Sequence, residues 1–264
     1  MGCRSAATAG SVLSKPASRV ATLPAVERAL LDWHRTARRE LPWRRTRDPY
    51  AVLVSEVMLQ QTQVARVIPR WEGWVGRWPT VGDLAGTARA AVIRAWQGLG
   101  YNRRAVALHE AARRIDSQGW PDDLTELPGV GRYTADAVAR FALGRDVLPV
   151  DVNVRRVLER SGGAFGSCCA EALMDLGATV CLARVPRCAE CPLASRCPSR
   201  VTRFEPARRQ GQFEGSFRQR RSHVLRTVAG AGSLLAAEVD AAALSSLVAD
   251  GLIVADGGWV RLPD

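Results

Sequence analysis

Apolar residues recur at helical spacing along most of the chain, which predicts a mainly α-helical protein. Asp48 and Pro49 supply an N-cap and a first-turn proline, so we expect one helix to begin there. Further helices follow by the same criteria. The predicted helical ranges are 23–39, 50–62, 64–78, 88–97, 103–117, 151–160 and 170–180, with a glycine turn and another helix within 127–144.

The pattern changes after a basic, proline-containing linker at 201–215. Two short helices are predicted at 217–228 and 241–249. Two strands are predicted at 252–254 and 259–262, on either side of a glycine-rich turn. Two helices and a terminal hairpin in so short a segment indicate a small winged-helix-like α/β module.

The charge of the chain favours a polyanionic partner. The 264 residues carry a formal net charge of +11, and only one of the 37 basic residues, Lys15, is a lysine. Basic and acidic residues balance in 215–264, so the excess lies in the remainder of the chain. A folded region with this excess is typical of nucleic-acid binding.

The cysteines indicate a reducing compartment. Four of the seven cysteines fall within 181–197, a spacing that suits metal ligands better than a disulfide framework. No apolar run approaches the roughly 18 residues that a membrane span requires, so we expect no membrane partner. These features predict a cytoplasmic, nucleoid-associated protein.

The cysteine cluster has gaps of six, two and five residues between its members. They are Cys181, Cys188, Cys191 and Cys197. Four thiolates this close in sequence can converge on one inorganic centre, and the chemistry alone allows either zinc or a [4Fe-4S] cluster. Arg184 and Arg187 lie inside the first gap, where they can contact phosphates.

A glycine turn precedes the helix predicted within 127–144. Gly129, Val130 and Gly131 lead directly into Arg132 and Tyr133. Two glycines allow a tight turn that directs several amide N–H groups outward beside a helix N-terminus. Such a turn can bind a phosphate without reading the base sequence, although many similar turns only begin a helix.

Two carboxylates stand out from their surroundings. Glu56 lies in an otherwise apolar helical segment, where burial penalises the charged form and lets the side chain hold a proton. Asp151 lies at the start of a predicted helix. The structural alternatives are that Glu56 points to water and that Asp151 serves only as an N-cap.

These segments together resemble one family. The sequence Ser-Glu-Val-Met-Leu-Gln-Gln-Thr-Gln-Val at 55–64, the glycine turn and the cysteine spacing are similar to the adenine glycosylase (MutY-type) branch of the endonuclease III, or HhH-GPD, superfamily. The resemblance spans 41–160 and resumes over 172–198. It implies a mainly α helix-hairpin-helix DNA glycosylase fold with a [4Fe-4S] cluster loop formed by the four cysteines.

The resemblance also implies catalytic roles. Glu56 matches the residue that protonates adenine, and Asp151 matches the catalytic aspartate. Tyr133 stands where strand-cleaving members carry a lysine nucleophile. Because Lys15, near the N-terminus, is the only lysine, we expect no lysine-dependent lyase activity.

Other matching residues imply DNA contacts. Gln61 matches a wedge that enters the base stack, and Tyr101 matches a residue that intercalates on the opposite-base side. Trp43 and Arg44 match the entrance of the substrate pocket. The hairpin residues Gly129, Val130, Gly131 and Arg132 match the superfamily's phosphate-binding turn.

The expected domain organisation follows the resemblance. A disordered tail is predicted at 1–22 and a glycosylase domain at 23–200, with a six-helix barrel at about 47–150 and a cluster domain formed by 23–46 and 151–200. The linker at 201–215 and the winged-helix-like module at 216–264 complete the chain. We expect this module to replace the Nudix-like domain usual in the family.

The predicted activity is that of a monofunctional DNA glycosylase of base excision repair. It would remove adenine mispaired with guanine or 8-oxoguanine from double-stranded DNA, and it would act as a monomer. One alternative is a T:G or U:G mismatch pyrimidine glycosylase of the same superfamily. A second is a non-catalytic iron–sulfur DNA-binding protein.

Overall fold

The computed structural model describes residues 23–202 and 211–264. The tail predicted at 1–22 and most of the predicted linker lie outside the described residues. Within the described ranges the chain is mainly helical, as predicted, and every helix is too short or too polar to cross a lipid bilayer. The helices are α1 (Ala25–Ala37), α2 (Pro49–Leu59), α3 (Val64–Arg77), α4 (Val81–Ala85), α5 (Arg89–Trp96), α6 (Arg103–Gln118), α7 (Arg132–Phe141), α8 (Val152–Ser161), α9 (Ala170–Thr179), α10 (Phe217–Ala231) and α11 (Ala241–Ala249).

The described residues divide into two compact units. We call residues 23–47 and 136–202 the cluster unit, because they include the four-cysteine segment. Residues 48–135 and 211–264 form the hairpin unit, which includes the glycine turn. The division falls within α7, so each unit is assembled from two separate stretches of the chain.

Helix α2 is the central helix of the hairpin unit. Asp48 caps it by accepting hydrogen bonds from the backbone N–H groups of Tyr50 and Ala51, and Pro49 occupies the first position. Every residue from Tyr50 to Met58 is buried. Helix α3 packs against α2, and the Trp71 indole donates a hydrogen bond to the Ala51 carbonyl oxygen at 2.8 Å. The apolar sequence of α2 is therefore explained by burial on all sides.

The cluster unit packs α1, α8 and α9 around one apolar core. Leu30, Val154 and Leu173 are fully buried in it. Gly177 of α9 approaches α8 so closely that an added Cβ would lie 2.9 Å from the Cβ of Asn153. The absence of a side chain at this position allows the two helices to pack.

The C-terminal segment forms a three-stranded antiparallel sheet in the order β1-β3-β2. The strands are β1 (Ser233–Leu235), β2 (Val254–Asp256) and β3 (Trp259–Arg261). The sequence predicted only two strands and placed the first at 252–254. That placement was wrong, because Leu252 and Ile253 are buried core residues that precede the strand.

The turn between β2 and β3 was predicted correctly. Gly257 and Gly258 both have positive φ values, of 54° and 82°, as a tight two-residue hairpin requires. The core of this segment also contains Ile93 of α5 and Val106 of α6. The C-terminal residues therefore share one hydrophobic core with the helices of the hairpin unit.

Candidate functional site

The carboxyl group of Glu56 lies inside the hairpin unit. The residue is 5% exposed and belongs to a helix whose other residues from Tyr50 to Met58 are also buried. The predicted shielding of Glu56 from solvent is confirmed, and the alternative that it points to water is wrong. A carboxyl group in such surroundings is suited to carry and donate a proton.

Two exposed residues near α2 and α6 adopt left-handed backbone conformations. Gln61 has φ 56° and Tyr101 has φ 46°. Such values are uncommon for residues with a side chain, because the Cβ atom crowds the backbone. The sequence singled out both residues through the resemblance, but it gave no indication of this strain.

The glycine turn connects to the end of α2. Gly129 has φ 75°, and an added Cβ would lie 2.8 Å from the Cβ of Ala107. Gln60 Nε2 lies 3.5 Å from the Gly129 carbonyl oxygen and 3.4 Å from Thr134 Oγ1. Gly131 has open space around it.

The residues of the turn and those at the start of α7 differ in exposure. Val130 is buried, Arg132 is exposed, and Tyr133 is half-buried in the first turn of α7. The turn therefore presents the backbone of Gly131 and the side chain of Arg132 at the surface, as a phosphate-binding site requires.

The carboxylate of Asp151 is held in one orientation at the start of α8. Its Oδ1 atom accepts hydrogen bonds from the backbone N–H groups of Asn153 and Val154, at 2.9 Å and 2.6 Å. Its Oδ2 atom accepts one from Asn153 Nδ2, at 2.9 Å. The predicted capping role is confirmed, and the half-buried carboxylate has a fixed direction for its negative charge.

Asn153 is in turn bonded to a residue that contacts the cysteine segment. Arg156 Nη2 donates to Asn153 Oδ1 at 2.9 Å, and Arg156 Nε donates to the Cys181 carbonyl oxygen at 2.8 Å. A continuous series of hydrogen bonds therefore joins Asp151 to the backbone of the first cysteine of the cluster.

The four predicted metal ligands line one cavity of the cluster unit. All four are of intermediate exposure, and the cavity is also bordered by Arg160 and Arg187. Arg160 Nη1 lies 3.6 Å from Cys181 Sγ, and the Val201 N–H lies 3.3 Å from Cys188 Sγ. Both donors suit sulfur atoms that carry negative charge.

The cysteines affect each other electrostatically. Burial raises the pKa of the Cys191 thiol, and the neighbouring Cys181, Cys197 and Cys188 raise it further, against a backbone hydrogen bond at Leu193 that lowers it. Thiolates in such a group need positive charge to compensate their repulsion. Arg184 and Arg187 are exposed on the loop between the first two cysteines.

Trp43 and Arg44 belong to a short 3₁₀ turn, Pro42–Arg45, in the cluster unit. Trp43 is buried, and the Arg44 side chain is only 9% exposed. The Arg44 guanidinium donates to both carboxylate oxygens of Asp175, at 2.8 Å and 2.9 Å. Arg39 Nε also donates to Asp175, at 2.5 Å, and His34 Nε2 lies 3.0 Å from it. These contacts fix the turn that carries Trp43.

Sequence patterns did not single out the network around Asp175. Burial alone raises the pKa of Asp175, but the hydrogen bonds from His34 and Arg44 outweigh it and hold the pKa well below its usual range. The residue is fully buried, so its charge depends on these partners. The acid could have been noticed as a charged residue among the apolar residues in the middle of α9.

Comparison with known proteins agrees with this geometry. The family described as HhH-GPD superfamily base excision DNA repair protein matches residues 54–176. Among solved structures, a thermostable thymine-DNA glycosylase is 29% identical, with a TM-score of 0.60 over 65% of this chain and 93% of that chain. A trapped endonuclease III–DNA covalent intermediate shares the fold at 23% identity, with a TM-score of 0.58 over 66% of this chain and 92% of that chain.

Relatives found by sequence similarity indicate which family within this superfamily the chain belongs to. The adenine DNA glycosylase of Mycolicibacterium smegmatis is 42% identical over 86% of this chain and 93% of the relative. The adenine DNA glycosylase of Mycobacterium tuberculosis is 41% identical over 85% of this chain and 88% of the relative. The adenine DNA glycosylase of Homo sapiens is 41% identical over 69% of this chain and 40% of the relative. The chain belongs to the HhH-GPD superfamily and, within it, to the adenine DNA glycosylase family.

Proposed function

We propose that the protein is a monofunctional DNA glycosylase of base excision repair that removes adenine mispaired with guanine or 8-oxoguanine. The observation that carries the proposal is the burial of Glu56, an acid placed within an otherwise apolar helix. Adenine leaves the sugar readily only when a ring nitrogen is protonated, and a shielded carboxyl group can supply that proton.

Glu56 and Asp151 divide the chemistry between them. Glu56 gives its proton to a ring nitrogen of adenine while the bond between the sugar carbon and the base breaks. Positive charge then develops on the deoxyribose, and the oriented carboxylate of Asp151 stabilises it. A water molecule adds to the sugar carbon, and the proton that it releases returns to the Glu56 carboxylate, which leaves free adenine, an abasic site and the acid ready for the next cycle.

Tyr133 takes the position of the lysine found in strand-cleaving relatives. A phenol cannot form the Schiff base that a lysine amine forms, so the reaction ends after hydrolysis. The composition supports the same conclusion, because Lys15 is the only lysine in the chain. We therefore propose that Tyr133 lines the sugar site and that the enzyme lacks lysine-dependent lyase activity.

The DNA contacts are assigned to the glycine turn, to exposed arginines and to two side chains that enter the base stack. The turn of Gly129, Val130, Gly131 and Arg132 would bind phosphate, and so would Arg184 and Arg187. Gln61 and Tyr101 would unstack the mispair, since both are exposed and held on unusual backbone. Trp43 would border the adenine pocket, with Arg44 fixing the turn that carries it.

We assign a [4Fe-4S] cluster to Cys181, Cys188, Cys191 and Cys197. Their position around one cavity and the family resemblance of their spacing support this assignment. When bound, the group would pin the loop of Arg184 and Arg187 and neutralise the thiolates. Metal analysis of the purified protein should find iron and sulfide rather than zinc, and a zinc protein of full activity would contradict the assignment.

The partner and the compartment follow from the same features. The net charge of +11 suits double-stranded DNA, and four cysteines spaced as metal ligands suit a reducing compartment. We propose that a single copy of the chain acts on the chromosome in the cytoplasm.

The test uses duplexes that differ only in one pair: A:8-oxoguanine, A:G, A:C, T:G and U:G. We expect alkali-sensitive sites at adenine opposite 8-oxoguanine or guanine, and none at T:G or U:G. Glu56→Gln should slow excision by roughly 10²–10⁴-fold while binding to the mispair persists. Excision only at T:G or U:G would instead favour a pyrimidine glycosylase, the activity named for the thermostable structural relative.

A further inference from the structure

Gln61 and Tyr101 share an unusual feature within the hairpin unit. Both are exposed, and both have positive φ values that side-chain-bearing residues rarely adopt. Such backbone persists only where surrounding contacts hold it in place. The residues that hold these two positions therefore control whether the side chains are ready to enter DNA.

One side chain makes contacts to both strained segments. The Arg104 guanidinium lies between the end of α2 and the turn that precedes α6. Its Nη1 atom donates to the carbonyl oxygens of Val57, Met58 and Gln60, at 2.8, 3.0 and 2.5 Å. Its Nη2 atom donates to Thr62 Oγ1 and to the carbonyl oxygens of Leu99 and Gly100, at 3.0, 3.2 and 3.0 Å. Its Nε atom donates to the Tyr101 carbonyl oxygen at 3.3 Å.

The chemistry of arginine suits this position. The last carbonyl groups of a helix lack partners within the helix and favour a nearby positive charge. Arg104 also lies over the Trp96 ring at 5.2 Å and the Tyr101 ring at 5.7 Å. Burial lowers its pKa to about 10, so the group stays charged at neutral pH. A lysine offers a point charge without the planar fork needed to reach both segments.

We propose that Arg104 is a positioning residue that holds Gln61 and Tyr101 as one two-pronged element, so that the two side chains enter the duplex together. The proposal rests on the proposed function, in which both side chains unstack the mispair. Because one guanidinium joins both segments, neither can relax without disturbing the other. Both segments are therefore already ordered in the folded protein, so DNA binding does not have to supply the free energy of ordering them.

The proposal predicts coupling between the two prongs that depends on Arg104. Gln61→Ala, Tyr101→Ala and the double variant are made in the wild-type background and in Arg104→Lys. Unstacking is followed in stopped-flow by the fluorescence of 2-aminopurine beside an A:8-oxoguanine pair. In the wild-type background, the double variant should lose much less than the product of the two single losses.

In the Arg104→Lys background, the two losses should multiply, and unstacking with both prongs intact should be about tenfold to a hundredfold slower than in the wild type. Arg103→Lys is the matched control, since Arg103 is the adjacent residue and its side chain is 77% exposed. The control should behave as the wild type. Losses that multiply in both backgrounds, or coupling that survives Arg104→Lys, would overturn the proposal.

Hydrogen exchange without DNA separates positioning from general destabilisation. Arg104→Lys should speed amide exchange at residues 60–63 and 99–102, with a melting temperature close to that of Arg103→Lys. Unchanged protection of those amides would also overturn the proposal. If the wild type excised no adenine, the proposed function would fail. The fluorescence and exchange results would still decide whether Arg104 couples the two segments.

Discussion

The hairpin contains two glycines whose surroundings differ. Gly129 combines a positive φ with a contact to Ala107 that leaves no room for a side chain. Gly131 has open space around it, and its φ is not in the left-handed region. Glycine is therefore required by the fold at Gly129, whereas at Gly131 it leaves room for a ligand.

Gly129→Ala should lower the free energy of unfolding by about 2 kcal/mol, because the new Cβ strains the backbone and meets Ala107. Gly131→Ala is the matched control and should change stability by less than about 1 kcal/mol. Urea unfolding of both variants measures the difference. Equal effects of the two substitutions would contradict the structure of the turn.

The buried carboxylate of Asp175 gives a second prediction at the residue scale. Its pKa is held below the value in the unfolded chain by His34, Arg44 and Arg39. The stabilisation is therefore complete above the unfolded pKa of about 4 and is lost as the pH falls through the folded pKa. Acid conditions should remove the contribution of this network.

Asp175→Asn should cost about 3 kcal/mol at pH 7, because it leaves buried arginine groups without their counter-charge. The difference from the wild type should shrink as the pH falls below about 4, because the carboxyl group of the unfolded wild-type chain then gains a proton while that of the folded chain stays charged. Urea unfolding at pH 7 and at pH 3 measures both values. A constant difference across this range would show that the charge of Asp175 does not stabilise the fold.

At the scale of elements, the sequence located most of the α-helices well and the shortest elements poorly. The predicted helix at 241–249 matches Ala241–Ala249, and the one at 103–117 differs from Arg103–Gln118 by a single residue. Capping residues and apolar periodicity are local signals, which explains this agreement. Helix α4 and strand β1 were missed because five and three residues are too few to show a period.

Strand β1 is defined by its backbone pairing with strand β3. It pairs with β3 from Ser233 opposite Arg261 to Leu235 opposite Trp259, across a separation of more than 20 residues. Its exposed, half-exposed and exposed side chains give no apolar pattern that sequence reasoning could use. Such strands are defined by backbone pairing rather than by propensity.

The core shared by the C-terminal segment and α5 predicts joint unfolding. Ile93 is fully buried in the cluster that also contains Val228 of α10. Ile93→Ala should lower stability by about 2–4 kcal/mol and weaken amide protection in α5 and α10 together. Val248→Ala, at a residue that is 39% exposed, is the control and should have little effect. Loss of protection in α5 alone would show that the two segments unfold separately.

At the scale of the whole molecule, the arginine excess predicts the response to salt. Each phosphate contact releases counterions, so the logarithm of the DNA association constant should fall linearly with the logarithm of salt concentration. Arg132→Ala and Arg187→Ala should each reduce the magnitude of that slope by about 1. Arg35→Ala removes an exposed arginine that pairs with Asp32 and should leave the slope unchanged. Equal slopes for all three variants would contradict the proposed phosphate contacts.

The sequence by itself determined the features that depend on neighbouring residues. The helix caps at Asp48 and Asp151, the hairpin turn at Gly257 and the cysteine spacing are all fixed within a few positions along the chain. The burial of Glu56 could also be predicted, because a helix that is apolar on every face must be buried.

Only the tertiary structure decided the features that join distant residues. Arg104 bonds to carbonyl groups 44 to 47 residues earlier, and Arg44 meets Asp175 across 131 residues. The sequence around Arg104 and Arg44 does not distinguish them from the other arginines of the chain. Tertiary packing decides which charged groups are buried and which strained backbone segments are stabilised. The free-energy cost of burying a charge is offset only by partner groups that the fold brings next to it.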